Sequence, residues 1–170
     1  LMQDVYAVYE ELYADENVTC LIQESAMREQ EREAFLEAFA KDNEKTLVGF
    51  CIMGGIFSEG IDLDGEKLIG AAVVGAGIPQ VGPERELLKQ YFDRSGENGF
   101  DYAYRYPGMN KVLQAAGRVI RTTEDTGVIL LLDERFRNRE YRELFPREWE
   151  DCRIVQRSSL PEVIHSFWER

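Results

Sequence analysis

Two arginines and a glutamine at helical spacing are the first residues in this sequence that could do chemistry. Gln114 and Arg118 are four residues apart, and Arg118 and Arg121 are three apart, so in a helix all three would project from one side. Guanidinium groups donate forked hydrogen bonds to phosphoryl oxygens and stay charged at any working pH. Because no Asp or Glu occurs between residues 109 and 121, we expect unpaired arginines that bind an external polyphosphate. A solvated arginine face is the alternative that these residues alone leave open.

A glycine-rich segment over residues 54–63 is the second candidate, and it directly follows an apolar run. Its sequence is Gly-Gly-Ile-Phe-Ser-Glu-Gly-Ile-Asp-Leu. In parallel α/β sheets, ligands bind beyond the carboxyl ends of the strands, where glycine lets backbone amides come close. Ser58, Glu59 and Asp62 would place three polar groups there. The segment lacks the Lys-Ser/Thr ending of a phosphate-binding loop, so by itself it also fits a plain turn with solvated acids.

Cysteine and histidine usage argues against a metal centre in this chain. Cys20, Cys51 and Cys152 lie far apart with no Cys-x-x-Cys pair, so we expect reduced, buried thiols. His165 is the only histidine, which disfavours a Ser-His-Asp triad. Asp133 follows a strongly apolar run with no nucleotide-cradling loop before it, and we expect it to cap a helix. The sequence therefore predicts no metal ligands here.

Composition and charge restrict the class of protein further. The 170 residues are 44% hydrophobic and 31% charged, which suits one globular domain over residues 1–170. No apolar run reaches the roughly 18 residues that a membrane span needs, and no signal peptide begins the chain, so we expect a cytoplasmic protein without a membrane partner. The net charge of −12 argues against a broad basic surface for nucleic acid. Residues 1–50 carry a net −8 and residues 107–142 a net +2, which favours phosphate chemistry in the second region.

The spacing of apolar residues predicts the elements that would position these side chains. Predicted helices cover residues 2–13, 28–40, 83–92, 109–121 and 161–168, and predicted strands cover residues 18–22, 46–53, 68–74, 127–132 and 153–155. Strands that alternate with helices predict an α/β fold with a mostly parallel sheet and helices on both faces. Residues 95–108 are predicted to be a loop, and the aromatic residues around it to form a satellite core. Four apolar residues of the 109–121 helix should face the main core: Val112, Ala116, Val119 and Ile120.

Together and in this order, the two candidate segments resemble the C-terminal helicase domain of the XPD/DinG family of superfamily 2 DNA helicases. Residues 54–63, with Ser-Glu-Gly-Ile-Asp at their centre, are similar to helicase motif V. Residues 114–121, Gln-Ala-Ala-Gly-Arg-Val-Ile-Arg, are similar to motif VI, and residues 125–136 continue the family pattern. The motifs carry the resemblance over residues 46–137, and it extends less specifically to both ends of the chain.

The resemblance implies a RecA-like three-layer domain that serves as the second motor domain of a longer protein. ATP with Mg²⁺ would bind between this domain and an N-terminal RecA-like domain that this fragment lacks, and that domain would hold the phosphate-binding loop and the metal. Arg118 and Arg121 would reach the γ-phosphate as arginine fingers, and Gln114 would contact a phosphate or the attacking water. The fragment by itself should therefore be inactive.

The resemblance also assigns roles in the glycine-rich segment and at the DNA. Glu59, Gly60 and Asp62 would line the ribose and phosphate side of the nucleotide. Ser25 and Ser58 would contact phosphates of single-stranded DNA, the expected partner, in a protein of DNA repair type. An iron–sulfur cluster would belong to the absent part and not to this chain. The alternative function is a catalytically silent, nucleotide-dependent DNA clamp or interaction module of the same fold.

Overall fold

The structure, a computed structural model, describes residues 1–24, 26–40, 43–55 and 68–169. The described strands are β1 Val18–Ile22, β2 Thr46–Phe50, β3 Gly70–Val74 and β4 Val128–Leu132. The described helices are α1 Met2–Leu12, α2 Glu29–Ala40, α3 Pro83–Arg94, α4 Tyr106–Ala116, α5 Arg139–Arg142 and α6 Leu160–Trp168. A π-helical turn spans Asp101–Arg105, and 3-10 turns span Glu134–Arg137 and Arg147–Trp149.

The strands form two parallel pairs. β1 pairs with β2 in the register that sets Val18 opposite Thr46, and β3 pairs with β4 in the register that sets Gly70 opposite Val128. Parallel pairing needs a long crossover, and α2 supplies it between β1 and β2. The prediction of βαβ units with parallel strands is confirmed. The apolar, β-branched composition of these runs suits strands that are covered on their faces.

The main core lies where α4 packs on β3 and on the chain that follows β4. Met109 and Val112 of α4 are 1% and 0% exposed, and they pack with Val73 of β3. Phe136 and Tyr141, just beyond β4, complete the cluster and meet nearly edge to face with an interplanar angle of 87°. The prediction that Val112, Ala116 and Val119 face the core is confirmed, whereas Ile120 is 41% exposed.

Two glycines let α4 approach the end of β3 closely. Gly77 has a φ of +64°, a conformation that other residues rarely adopt. A Cβ on Gly77 would lie 2.6 Å from the carbonyl oxygen of Gly108, and a Cβ on Gly108 would lie 2.6 Å from that of Ala76. The backbone of the first turn of α4 therefore rests directly on the chain that leaves β3.

The prediction of a loop holds for residues 95–98 but is wrong for residues 99–108, because these carry the π-helical turn and the start of α4. The Gly, Asn and Tyr content of the whole stretch is typical of a loop, but stacked rings stabilise the helical form. The Phe92 and Tyr102 rings stack 3.9 Å apart at an interplanar angle of 8°. The Arg105 side chain is 11% exposed and forms a 2.6 Å ion pair with Asp101. The predicted satellite core is confirmed, although Tyr91 remains 67% exposed.

Two further predictions of strands need correction. Residues 153–155 are not a strand, and Ile154 is 67% exposed without a neighbouring strand in the described ranges. β2 ends at Phe50, three residues earlier than predicted, because the chain turns before Gly54, whose φ is +74°.

Among the described residues, no helix is both long and apolar enough to cross a membrane.

Candidate functional site

Helix α4 begins near the carboxyl end of β3, and the turn after it lies near the amino ends of β3 and β4. This path positions the predicted site. The first turn of α4 contacts Gly77 just beyond the carboxyl end of β3. Beyond its last turn, the Val119 side chain fills the space beside Gly127, one residue before β4. The backbone N–H of Val128 donates to Ile69 O at 3.0 Å, which joins the amino ends of the two strands. Residues 114–121 therefore lie toward the amino ends of β3 and β4.

The predicted helix over 109–121 ends at Ala116, five residues early. The Gly117 N–H donates to Leu113 O at 2.8 Å, and the Val119 N–H donates to Ala116 O at 3.0 Å, so a tighter turn closes the helix. Gln114 is exposed in the last turn, and Arg118 follows half-buried in the closing turn. The prediction that one helix carries Gln114 and both arginines is therefore wrong, because Arg118 and Arg121 both lie beyond the end of the helix.

Asp125 fixes the backbone that follows the closing turn. Its carboxylate accepts the backbone N–H groups of Arg121 and Thr122, both at 2.8 Å. These hydrogen bonds hold the pKa of Asp125 below its usual value, and the charge of Arg121 contributes to the same shift. Sequence reasoning included Asp125 in the family pattern but gave it no role. An Asp four residues after the second arginine was the available signal for such a capped turn.

The expectation that both arginines lack a partner in the protein is also wrong. Arg118 and Arg121 each have an interaction partner within the protein, and both are half-buried. The absence of acids between residues 109 and 121 was misleading, because Asp125 lies just beyond that window. A ligand at this site would therefore meet side chains that the protein already holds in place.

The structure describes the flanks of the glycine-rich segment but not its central residues. Five predicted site residues lie outside the described residues: Ser25, Ser58, Glu59, Gly60 and Asp62. On the first flank, the Lys111 side chain of α4 lies against Gly54, since a Cβ there would be 2.9 Å from Lys111 Cε. On the second flank, Ile69 meets Gly127 beside Val119. Both described flanks of the motif V segment therefore adjoin α4 or the turn that ends it.

Gln23 is a buried polar residue that sequence reasoning missed. It follows β1 directly and is 8% exposed. Its side-chain Oε1 accepts the backbone N–H of Ile52 at 2.9 Å, and the backbone N–H of Gln23 donates to Phe50 O at 2.8 Å. Burial of an amide is tolerated only when its hydrogen bonds are made. Gln23 thus ties the end of β1 to the turn that enters the glycine-rich segment, and its position at the end of an apolar strand was the only signal for it.

Asp133 caps the 3-10 turn after β4, as predicted. Its Oδ1 accepts the N–H of Arg135 at 2.9 Å, and the Arg135 guanidinium donates to both carboxylate oxygens at 2.8 and 2.6 Å. The Arg135 side chain, more than any other group, holds the pKa of Asp133 below its usual value. The backbone of Ala76 contributes to the same shift. The Asp133 carboxylate therefore follows β4 and lies near the end of β3, since a Cβ on Gly75 would be 4.0 Å from its Oδ2.

The described residues contain no group of three or more His, Cys, Asp and Glu side chains that could hold a metal ion. All three cysteines are free thiols. The expectation that they are buried is wrong, because Cys51 and Cys152 are exposed and Cys20 is half-buried.

Comparison with known proteins identifies the family. Residues 1–152 match the family described as the helicase C-terminal domain, and the chain belongs to it. The chain is 36% identical over 104 residues to the ATP-dependent DNA helicase DinG of Photobacterium profundum, covering 59% of this chain and 15% of that protein. It is 33% identical over 115 residues to the general transcription and DNA repair factor IIH helicase subunit XPD/RAD3 of Saccharomyces cerevisiae, covering 63% and 14%. These matches place it in the XPD/DinG family.

Two more comparisons show how much of its relatives the chain spans and which fold it has. The chain is 33% identical over 142 residues to the regulator of telomere elongation helicase 1 of Bos taurus, covering 78% of this chain and 12% of that protein. A solved XPD helicase structure matches with a TM-score of 0.55 at 18% identity, covering 84% of this chain and 29% of that chain. The predicted RecA-like α/β fold is confirmed. The chain spans less than a fifth of the length of these three relatives.

Proposed function

We propose that this chain is the second motor domain of an ATP-dependent DNA helicase and supplies arginine fingers for ATP hydrolysis. The observation that carries the proposal is that both described flanks of the motif V segment adjoin the helix and turn of motif VI. Lys111 of α4 contacts Gly54, and Val119 lies beside Gly127, which meets Ile69. Residues that are far apart in the sequence are thereby gathered along one helix, as a shared ligand site requires.

The side chains of motif VI suit the negative charge of a triphosphate. Arg118 and Arg121 carry permanent positive charges, Asp125 fixes the backbone at Arg121, and Gln114 adds an exposed amide. When ATP is bound, the guanidinium groups would stabilise charge that develops on the transferring phosphoryl group. Gln114 would orient a phosphate oxygen or the attacking water. A prearranged backbone lowers the reorganisation that this stabilisation costs.

The Mg²⁺ ion that accompanies ATP needs ligands, and we assign these ligands to a partner domain. Mg²⁺ is commonly held by carboxylates, phosphate oxygens and water, whereas the described residues offer no cluster of acidic, His or Cys ligands. We therefore assign the phosphate-binding loop and the Mg²⁺ ligands to an N-terminal RecA-like domain of the same protein. An iron–sulfur cluster, if the protein has one, would belong to that part as well.

For the glycine-rich segment we propose the roles that the family resemblance implies. Glu59, Gly60 and Asp62 would line the ribose and phosphate side of ATP, and Ser25 and Ser58 would contact single-stranded DNA. The relatives named above as DNA helicases and as a DNA repair factor support a DNA substrate and a repair role. A cytoplasmic location stays a prediction.

The experiment that tests this function replaces the two arginines in the full-length protein. Arg118→Ala and Arg121→Ala should each lower kcat for DNA-stimulated ATP hydrolysis by roughly 10³-fold, the scale of a lost arginine finger. The ATP concentration for half-maximal turnover should change much less. Arg137→Ala is the matched control, because Arg137 is an exposed arginine of the 3-10 turn outside the site. Near-normal turnover of either site variant would contradict the finger assignment.

The same preparations separate the motor from the alternative, a catalytically silent clamp. A motor should separate the strands of a DNA duplex with a single-stranded tail, and it should do so only with ATP. A clamp should bind the DNA in a nucleotide-dependent way without separating the strands. The presence of Gln114, Arg118 and Arg121 together favours the motor.

A further inference from the structure

The two arginines of motif VI lie on a connection whose backbone is held at separate points. This connection, residues 117–127, runs from the end of α4 to the start of β4. Val119 directly follows Arg118 and is 2% exposed, so packing in the core holds the backbone beside the first arginine. Ile120, the residue before Arg121, is 41% exposed. The second arginine therefore lies where this packing ends, and another contact has to hold its backbone.

One carboxylate oxygen supplies that contact. Oδ2 of Asp125 accepts the backbone N–H groups of Arg121 and Thr122, both at 2.8 Å. Thr122 Oγ1 accepts the backbone N–H of Glu124 at 3.3 Å, which closes the turn between the arginine and Asp125. A hydrogen bond to a charged acceptor is stronger than one between neutral groups, and two of them on adjacent amides restrict the backbone of both residues. Asp125 thus holds the backbone at the second arginine as Val119 holds it at the first.

The position of the backbone matters for an arginine because its guanidinium group lies at the end of a long side chain. A small rotation about the backbone dihedrals of Arg121 becomes a larger displacement of the charge over this length. When a group that acts on the transition state is misplaced by about 1 Å, the rate can fall on the order of 10²-fold. Loss of the two hydrogen bonds to Asp125 should therefore affect hydrolysis as well as stability.

We propose that Asp125 is a positioning residue for ATP hydrolysis that acts through Arg121. The inference rests on the proposed function, since it takes Arg121 as an arginine finger. It extends that function by assigning a role to a residue outside motif VI. It also makes the acceptor oxygen of Asp125, and not its charge, the feature that turnover requires.

The test uses the full-length protein and two substitutions that separate the oxygen from the charge. Asp125→Ala removes the acceptor. Asp125→Asn removes the charge but keeps one carbonyl oxygen, and one oxygen accepts both N–H groups in the structure. Asp93→Ala is the matched control, because Asp93 lies on α3 and its Oδ1 accepts the backbone N–H of Gly99 at 2.9 Å. DNA-stimulated ATP turnover is measured across ATP concentrations, and thermal unfolding of each variant is measured in parallel.

A positioning role predicts a pattern that a loss of stability alone would not produce. Asp125→Ala should lower kcat by roughly 10- to 100-fold, while the ATP concentration for half-maximal turnover stays close to that of the wild type. Asp125→Asn should restore most of the turnover, since its carbonyl oxygen can accept both N–H groups. Asp93→Ala should keep the wild-type kcat, although it also removes an acceptor of a backbone N–H.

A second measurement shows whether Asp125 acts through Arg121. In the Arg121→Ala protein the finger is already absent, so Asp125→Ala should lower the rate no further. Single-turnover hydrolysis, with the enzyme in excess over ATP, measures these low rates. A further fall in this background would show that Asp125 supports the fold or Arg118 instead, and it would overturn the proposal.

Two other results would also overturn it. Asp125→Ala could keep the wild-type kcat, or Asp125→Asn could be as slow as Asp125→Ala, which would mean that the acceptor oxygen does not position a finger. If Arg121→Ala lowers kcat while Asp125→Ala does not, only this inference fails. If Arg121→Ala itself keeps near-normal turnover, the finger assignment in the proposed function fails.

Discussion

The two pairs of parallel strands differ in how the chain covers them. Around β3 and β4, ten hydrophobic residues between Val73 and Tyr141 are buried. Around β1 and β2, Phe35 and Gln23 are the buried residues in the described ranges. Helix α1 packs on β2 through Tyr6 and Tyr9, whose ring centroids lie 5.4 and 6.0 Å from that of Phe50. Leu1 and three apolar residues of α1 are exposed: Val5, Val8 and Leu12.

The difference shows that the two predicted motifs are positioned by different forces. Motif VI follows a helix whose inner face is fully packed, so dispersion and the hydrophobic effect fix it. The entry to motif V is fixed by only a few contacts, the Gln23 hydrogen bond to Ile52 and the packing of the Lys111 stem on Gly54. A packed core resists local opening more than a few hydrogen bonds do. We therefore expect the β3–β4 region to hold its structure more firmly than the β1–β2 region.

The largest expected effect comes from a cavity in the packed region. Met109→Ala should lower the free energy of unfolding by about 2–5 kcal/mol, because Met109 is 1% exposed and its partners cannot fully fill the space. Leu12→Ala on α1 should change it by less than about 0.5 kcal/mol, since Leu12 is 63% exposed. Urea unfolding, with hydrogen exchange of the α4 and β3 amides, measures both. Equal effects of the two substitutions would remove the contrast between the regions.

The sequence predicted those elements whose apolar pattern and boundaries agree. β1 was predicted with the correct ends, and β4 within one residue, because short β-branched runs between polar residues define a buried strand. The core positions Val112, Ala116 and Val119 followed from their spacing. Family membership followed from two motifs in the right order, since each motif alone was ambiguous.

The sequence failed where tertiary contacts override local preference. The π-helical turn depends on the stacking of Phe92 on Tyr102, a contact between residues ten apart that no local pattern shows. The end of α4 at Ala116 depends on Gly117 and on the Asp125 carboxylate beyond it. The roles predicted for Gln114, Arg118 and Arg121 stay predictions, as do those of the five residues outside the described ranges.

An intermediate effect is expected where α4 touches the end of β3. Gly108→Ala would set a Cβ 2.6 Å from the Ala76 carbonyl oxygen, a backbone atom that cannot move by rotamer change. Alanine usually favours a helix over glycine by about 1 kcal/mol, but the clash should cost more, for a net loss of about 1–2 kcal/mol. Gly82→Ala, with open space around the added Cβ, is the control and should cost less than about 1 kcal/mol.

The Gly108 variant also sharpens the comparison between the regions. Because Gly108 allows α4 to lie close to the end of β3, the substitution should lower the hydrogen-exchange protection of amides in α4 and in the turn at Gly77. Amides of β1 and β2 should keep their protection. If Gly108→Ala is as stable as the wild type, the close backbone approach is not needed for α4 to pack.

The smallest effect concerns the ion pair between Asp133 and Arg135, which directly follows β4. Asp133 has a lowered pKa because Arg135 donates to both of its oxygens. A carboxyl group with a depressed folded-state pKa stabilises the fold above its unfolded value of about 3.9 and loses that contribution as the pH falls through the folded-state pKa. Asp133→Asn removes the charge, keeps one acceptor oxygen for the cap, and should cost about 1 kcal/mol at neutral pH, since Arg135 is 40% exposed and solvent weakens the pair.

This cost should depend on pH in a defined direction. The difference in unfolding free energy between wild type and Asp133→Asn should be largest at pH 6–7, and it should shrink below about pH 4 as Asp133 becomes protonated. Glu143→Gln is the matched control, because the Arg139–Glu143 pair is also 2.6 Å long but its side chains are 89% and 59% exposed. That substitution should have no measurable effect at any pH. Urea unfolding from pH 3 to pH 7 decides the matter, and a difference for Asp133→Asn that stays constant over this range would show that the charge of Asp133 does not stabilise the fold.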